Sequence, residues 1–160
     1  MRTATSSRET LSHAPTRPTK RPRAGRWATV GRFVLAIYFF LMGAGVNVFI
    51  MLPTAEANYD GLAKLSWPHF AWVPEFISAT FPVPFTIALI AWEIALAVLL
   101  LSRGLAVRVA LWAALVQVLA LAPFLGWYEV PNLVTAVLVG ALLTRDHDRT
   151  VVDVLRRHRP

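Results

Sequence analysis

The sequence predicts an all-α integral membrane protein, a bundle of four transmembrane helices with both N and C termini cytoplasmic. Three observations predict it. Apolar residues make up 56% of the 160 positions and charged residues 16%, with a mean hydropathy of +0.54, which is too apolar for an ordinary soluble domain of this length. Four apolar runs approach bilayer length without the period-two alternation of barrel strands, and in lipid only helices and closed barrels satisfy every backbone N–H and C=O. Fifteen of the 16 Lys and Arg residues fall on one side of a four-span arrangement, the cytoplasmic side by the positive-inside rule.

Residues 1–27 are rich in Arg, Ser, Thr and Pro and carry no apolar period, so they bury too little surface to offset the entropy of ordering. They read as a disordered, basic cytoplasmic tail. Pro15, Pro18 and Pro22 interrupt the amphipathic helix that a mitochondrial transit peptide would need.

The membrane domain covers 28–144. Its first span, Phe33 to Leu52, is twenty uncharged residues, enough at 1.5 Å per residue to cross a hydrocarbon core of about 30 Å. Pro53 is expected to end it. Ala55-Glu56-Ala57 resembles a signal-peptide cleavage site, but the apolar run exceeds the usual ~7–15 residues, so the segment is expected to be retained. The second span, Phe85 to Leu101, carries one charge, Glu93, and the third, Val109 to Leu125, has Arg108 at its entrance. The turn at Ser102, Arg103 and Gly104 makes these two an antiparallel hairpin. The fourth span, 127–143, has Pro131 in its first turn and is closed by Thr144-Arg145-Asp146. Residues 145–160 form a basic cytoplasmic tail.

The charge of +7 is explained by this topology. The N-terminal segment through Arg32 holds eight cations, the second-to-third turn two and the C-terminus five, whereas Lys64 is alone in the external loops beside Glu56, Asp60, Glu75 and Glu129. A basic tail of this kind anchors orientation and requires no nucleic acid. The absence of Cys excludes disulfides, thiolate metal sites and iron–sulfur clusters. His13, His69, His147 and His158 all lie outside the apolar runs, so no metal site and no intrinsic cofactor is expected within the bundle.

Glu93 is eight residues from either end of its span. At that depth an acid costs about 2.5–3.5 kcal/mol on insertion scales and must face protein or water, with burial favouring the neutral form. Gln117 is also central in its span, and both residues lie twelve positions from Leu105, so a straight hairpin places them at one depth. Two roles remain open for this pair: interhelical glue worth about 0.6 kcal/mol, or a proton or ligand site. Small and polar residues recur at helical spacing in the stripes Ala36, Phe40, Gly43, Asn47 and Asn132, Ala136, Gly140, Thr144, and allow close helix approach. Asn47 and Asn132 join Glu93 and Gln117 as the buried polar candidates.

The external loop, 53–82, interleaves aromatic residues with proline. A loop of this length is functional or interfacial, suited to short amphipathic helices capping the mouth of the bundle. Trp67, His69 and Trp72 are its expected interface residues.

The chain resembles the DoxX-like family of small bacterial four-helix membrane proteins. Three features carry the resemblance over Arg32 to Leu143: Arg32 opening a first helix with Gly43 and Gly45, the long external loop, and Trp92-Glu93-Ile94-Ala95-Leu96-Ala97-Val98-Leu99-Leu100-Leu101-Ser102-Arg103-Gly104 leading into Arg108. Glu93 matches the acid typical of the family's second helix, while Ala97 stands where many relatives have glycine. The resemblance implies a multi-pass protein of the bacterial plasma (inner) membrane, whose partners besides lipid are other membrane or peripheral subunits or further copies of itself. It also implies service to a redox complex linked to quinone, or to another envelope complex, without a cofactor of its own. A small carrier or permease and a purely structural protein are the alternatives.

Overall fold

A computed structural model describes residues 25–126, 130–147 and 150, and most of these are helical with no strand among them. Residues 1–24 of the expected tail lie outside the described residues, as do 127–129 and most of the C-terminal tail. The helix α1, Arg26–Tyr38, continues through two π-helical stretches, Phe39–Gly45 and Asn47–Met51, and a 3₁₀ turn, Leu52–Thr54, into α2, Ala55–Leu65. After α3, Trp72–Thr80, come α4, Pro82–Leu101, α5, Leu105–Leu125, and α6, Val130–Leu143.

Three helical segments are long and apolar enough to cross a membrane: Arg26–Leu65, Pro82–Leu101 and Leu105–Leu125. Only 28% of the apolar window of each is buried inside the protein. The remainder exposes Val30, Val34, Phe40, Ile87, Val98, Val109, Trp112 and Val116, a continuous apolar exterior that water would penalise and acyl chains do not. The fourth run is a 14-residue helix, shorter than the ~20 residues that cross a hydrocarbon core unaided.

Pro53 does not end the first helix. It lies within the 3₁₀ turn, beside which Thr54 Oγ1 donates to Ile50 O at 3.3 Å and Asn58 Nδ2 donates to Ile50 O at 3.1 Å and to Met51 O at 3.3 Å, and the backbone leaves helical geometry only at Thr54 (φ −132°, ψ 43°). Helices α2 and α3 occupy most of the expected loop and pack on each other through Ala55, Tyr59 and Ile77, with Ser78 Oγ donating to Glu56 O at 3.2 Å. Trp67 N–H donates to Pro123 O at 2.8 Å, satisfying one of the terminal carbonyls of α5. The pair forms a cap over one end of the bundle.

Helices α1, α4, α5 and α6 close a ring, each touching the next and α6 returning to α1. Gly104 (φ 62°) turns α4 into α5 and Gly126 (φ 53°) ends α5, both in a region that side chains disfavour. The core lies at the end away from the cap, where Ala28, Leu35, Leu96, Leu100, Val107, Leu111, Val139 and Leu142 interlock.

That end is tied by polar groups. Arg32, 1% exposed, donates from Nε to Leu100 O at 3.0 Å and from a terminal nitrogen to Ser102 O, satisfying a last-turn carbonyl of α4 and that of its C-cap residue. Arg108 pairs with Asp146, and Gly104 N–H donates to His147 O. The residues 145–147, placed in the tail by sequence, thus pack against the α4–α5 turn. Trp27, also assigned to the tail, lies in α1 with the Arg145 guanidinium 5.4 Å from its ring centroid.

Candidate functional site

Midway along α4, Glu93 turns from the apolar exterior to the interior and is 5% exposed. Its carboxyl is held by amides from two other helices: Asn47 Nδ2 donates to Oε2 at 2.8 Å and Gln117 Nε2 donates to Oε1 at 3.2 Å. Asn47 Nδ2 also donates to Gly43 O at 3.1 Å, and the Gln117 carbonyl accepts from Trp92 Nε1 at 2.7 Å. Each amide is therefore fixed by a second bond, and Glu93 sits in a preset cradle rather than in a mobile pair.

Gly43 makes that cradle possible. A Cβ there would lie 2.7 Å from Glu93 Cδ and 2.8 and 2.9 Å from the two carboxyl oxygens, closer than carbon and oxygen pack. Both Gly43 and Asn47 belong to the π-helical stretches, a geometry that often marks functional segments of a helix.

The cluster forms the floor of a cavity of about 370 Å³ that reaches toward the cap. Its walls are Phe39, Met42, Val46 and Met51 of the first helical segment, Phe85 and Leu89 of α4, and Leu121 and Phe124 of α5; Leu62, Val73, Pro74 and Ile77 of the cap line its far side. The size falls within the ~300–1,000 Å³ typical of small-molecule sites. Two hydroxyls join the lining: Tyr38 donates to Asn132 Oδ1 at 2.6 Å, and Tyr59 donates to Thr86 Oγ1 at 3.0 Å while Thr86 donates to Pro82 O at 2.8 Å. No Lys, Arg or His is among the lining residues described.

Of the residues singled out by sequence, Glu93, Gln117 and Asn47 meet in one hydrogen-bonded cluster, and Asn132 lines the same cavity through its bond with Tyr38. Trp67, His69 and Trp72 are exposed on the cap and away from the cavity lining. Sequence reasoning missed the functional placement of Gly43, Tyr38, Tyr59, Thr86 and Trp92. Trp92 could have been found from its position beside Glu93, and Gly43 from its place in the Asn47 stripe, but the tyrosines carry no local signal. Comparison with family models, characterised proteins and solved structures returns no match.

The cluster can accept a proton on Glu93 or present a carboxylate to a cationic or hydrogen-bond-donating ligand. Its two amide donors reach opposite oxygens of one carboxyl and leave the remaining lone pairs available.

Proposed function

We propose that this protein is a DoxX-like, four-span subunit or accessory of a bacterial inner-membrane complex, redox and quinone-linked or otherwise of the envelope, holding no cofactor of its own. In this reading α6 is the fourth span, completed by residues next to it, both termini are cytoplasmic, and the α2–α3 cap is external. The observation that carries the reading is the Asn47–Glu93–Gln117 cluster. Three helices converge to bury an acid at the depth of the apolar spans, where it costs about 2.5–3.5 kcal/mol on insertion scales. Such a group is retained for a proton or a ligand more readily than for glue, which weak amide pairs supply at about 0.6 kcal/mol.

Affinity purification of the full chain from bacterial membranes in mild detergent tests this. Partner subunits are expected at fixed stoichiometry, and bound quinone among the extracted lipids would mark the complex as redox. Recovery of the chain alone, without partner or quinone, would overturn the subunit reading. The largely apolar cavity with a single acid at its floor favours a second reading, a small carrier, for which ligand uptake by reconstituted vesicles without any partner is the discriminating result.

A further inference from the structure

We propose that the cavity binds a small hydrophobic organic cation, an aromatic or alkyl ammonium, with Glu93 as its counter-anion. The inference concerns the isolated chain. It shares with the carrier reading the premise that the cavity is a binding site, and it requires no partner subunit.

Three independent features of the cavity point to this ligand class. The first is an uncompensated acid: Glu93 is 5% exposed, and among the described lining residues no cation faces it, the other titratable side chains there being Tyr38 and Tyr59. A buried carboxylate without a partner is costly, and a ligand that brings the missing positive charge recovers that cost on binding. The second is the aromatic content of the wall. Tyr38, Phe39, Tyr59, Phe85 and Phe124 line the space, and Tyr38 meets Phe39 and Tyr59 meets Phe85 edge to face, with centroids 5.6 and 5.7 Å apart. Ring faces attract an alkylated ammonium by their quadrupole, most strongly where water is excluded. The third is the arrangement of donors. Asn47 and Gln117 hold the carboxyl from two sides, which fixes the direction of its remaining lone pairs. An ordinary inorganic cation would find one carboxylate and mostly hydrocarbon, too few oxygens for its shell. A cation whose charge is wrapped in methyl or aryl groups suits both the acid and the wall.

Benzyltrimethylammonium and its uncharged carbon isostere, neopentylbenzene, isolate the contribution of charge. Binding to the purified full-length chain in detergent is followed by the ligand-induced rise in melting temperature and by tryptophan fluorescence. The cation should bind roughly tenfold or more tighter than the isostere, and Glu93→Gln should abolish that preference. Equal affinity for the two compounds, or an unchanged preference in a folded Glu93→Gln protein, overturns the proposal. A readout on the wild-type chain guards against a variant that fails to fold: carbodiimide labelling of Glu93, read by mass spectrometry, should fall when benzyltrimethylammonium is present. Labelling undiminished by saturating cation overturns the proposal. None of these outcomes depends on whether subunits co-purify.

Discussion

At Gly43 the backbone of the first helix comes within contact distance of the Glu93 carboxyl, and a single added methyl would collide with three of its atoms. Gly43→Ala should therefore displace Glu93 from its amides and destabilise the protein by about 1–3 kcal/mol, the usual range for overpacking a tight interior. A helix interior ordinarily gains from Gly→Ala, so the sign is diagnostic. Thermal melting in detergent reads it, and an unchanged or raised melting temperature would mean that the carboxyl is not where the cradle puts it. Glu93→Gln keeps the shape and can still accept from one amide, so insertion and stability should stay near wild type, whereas Glu93→Lys should impair folding because no buried anion can pair with the new cation. Membrane yield and monodispersity on gel filtration compare the two. The acid was legible in sequence because a lone charge in an apolar run stands out. The tyrosines were not, since Tyr38 and Tyr59 reach Asn132 and Thr86 across 94 and 27 residues of chain, and no local pattern encodes such a separation.

Among the elements, the end of α4 shows how a helix terminus is finished by distant residues. Arg32 of α1 serves Leu100 O and Ser102 O together. Arg32→Lys keeps the charge but offers a point donor in place of a fork, so it should cost about 1.5–3 kcal/mol, the usual worth of a charge-assisted bond. Beyond α6, His147 is 2% exposed and its Nε2 bonds to Leu142 O at 3.0 Å, while Nδ1 has no partner. Burial pushes the imidazole below its usual value; the Arg32 and Arg108 charges act the same way, against the opposing Leu142 bond and Asp146 charge. Above about pH 6.5 the imidazole is neutral in both folded and unfolded chains and its contribution is complete. As pH falls below that value the unfolded chain takes up the proton first, so stability is lost progressively toward the lower folded value. Melting temperature measured from about pH 8 to about pH 5 should decline, and His147→Gln should flatten the decline. The cap is the other element-scale lesson. The sequence of 53–82 is long, aromatic and suited to short helices, and a proline after an apolar run predicts a stop at Pro53 that the helix does not make. The helix carries the proline in a 3₁₀ turn, with the Thr54 and Asn58 side chains donating to the Ile50 and Met51 carbonyls beside it.

Over the whole molecule, the ring of helices places the start of α1, the α4–α5 turn and the end of α6 at one end, and the α2–α3 cap at the other. Combined with the cation split, this predicts that reporter fusions at Asp60 and Asp153 report opposite sides of the membrane, Asp153 inside. The same side for both would sink the four-span topology. What the sequence determined by itself is the helical secondary structure and helices long and apolar enough to cross a membrane: long uncharged runs suit a bilayer only as helices, and turn glycines and cations delimit them, because these are properties of composition along the chain. The depth of Glu93 and Gln117 follows from counting residues between them and their shared turn. The tertiary structure alone decided the rest: which face of each helix turns inward, the π-helical stretches that aim Gly43 and Asn47 at Glu93, the tyrosines of the cavity, and the burial of Arg32 and His147. Exterior and interior faces of a membrane helix are both apolar, so hydropathy does not distinguish them; only packing against the neighbouring helices does.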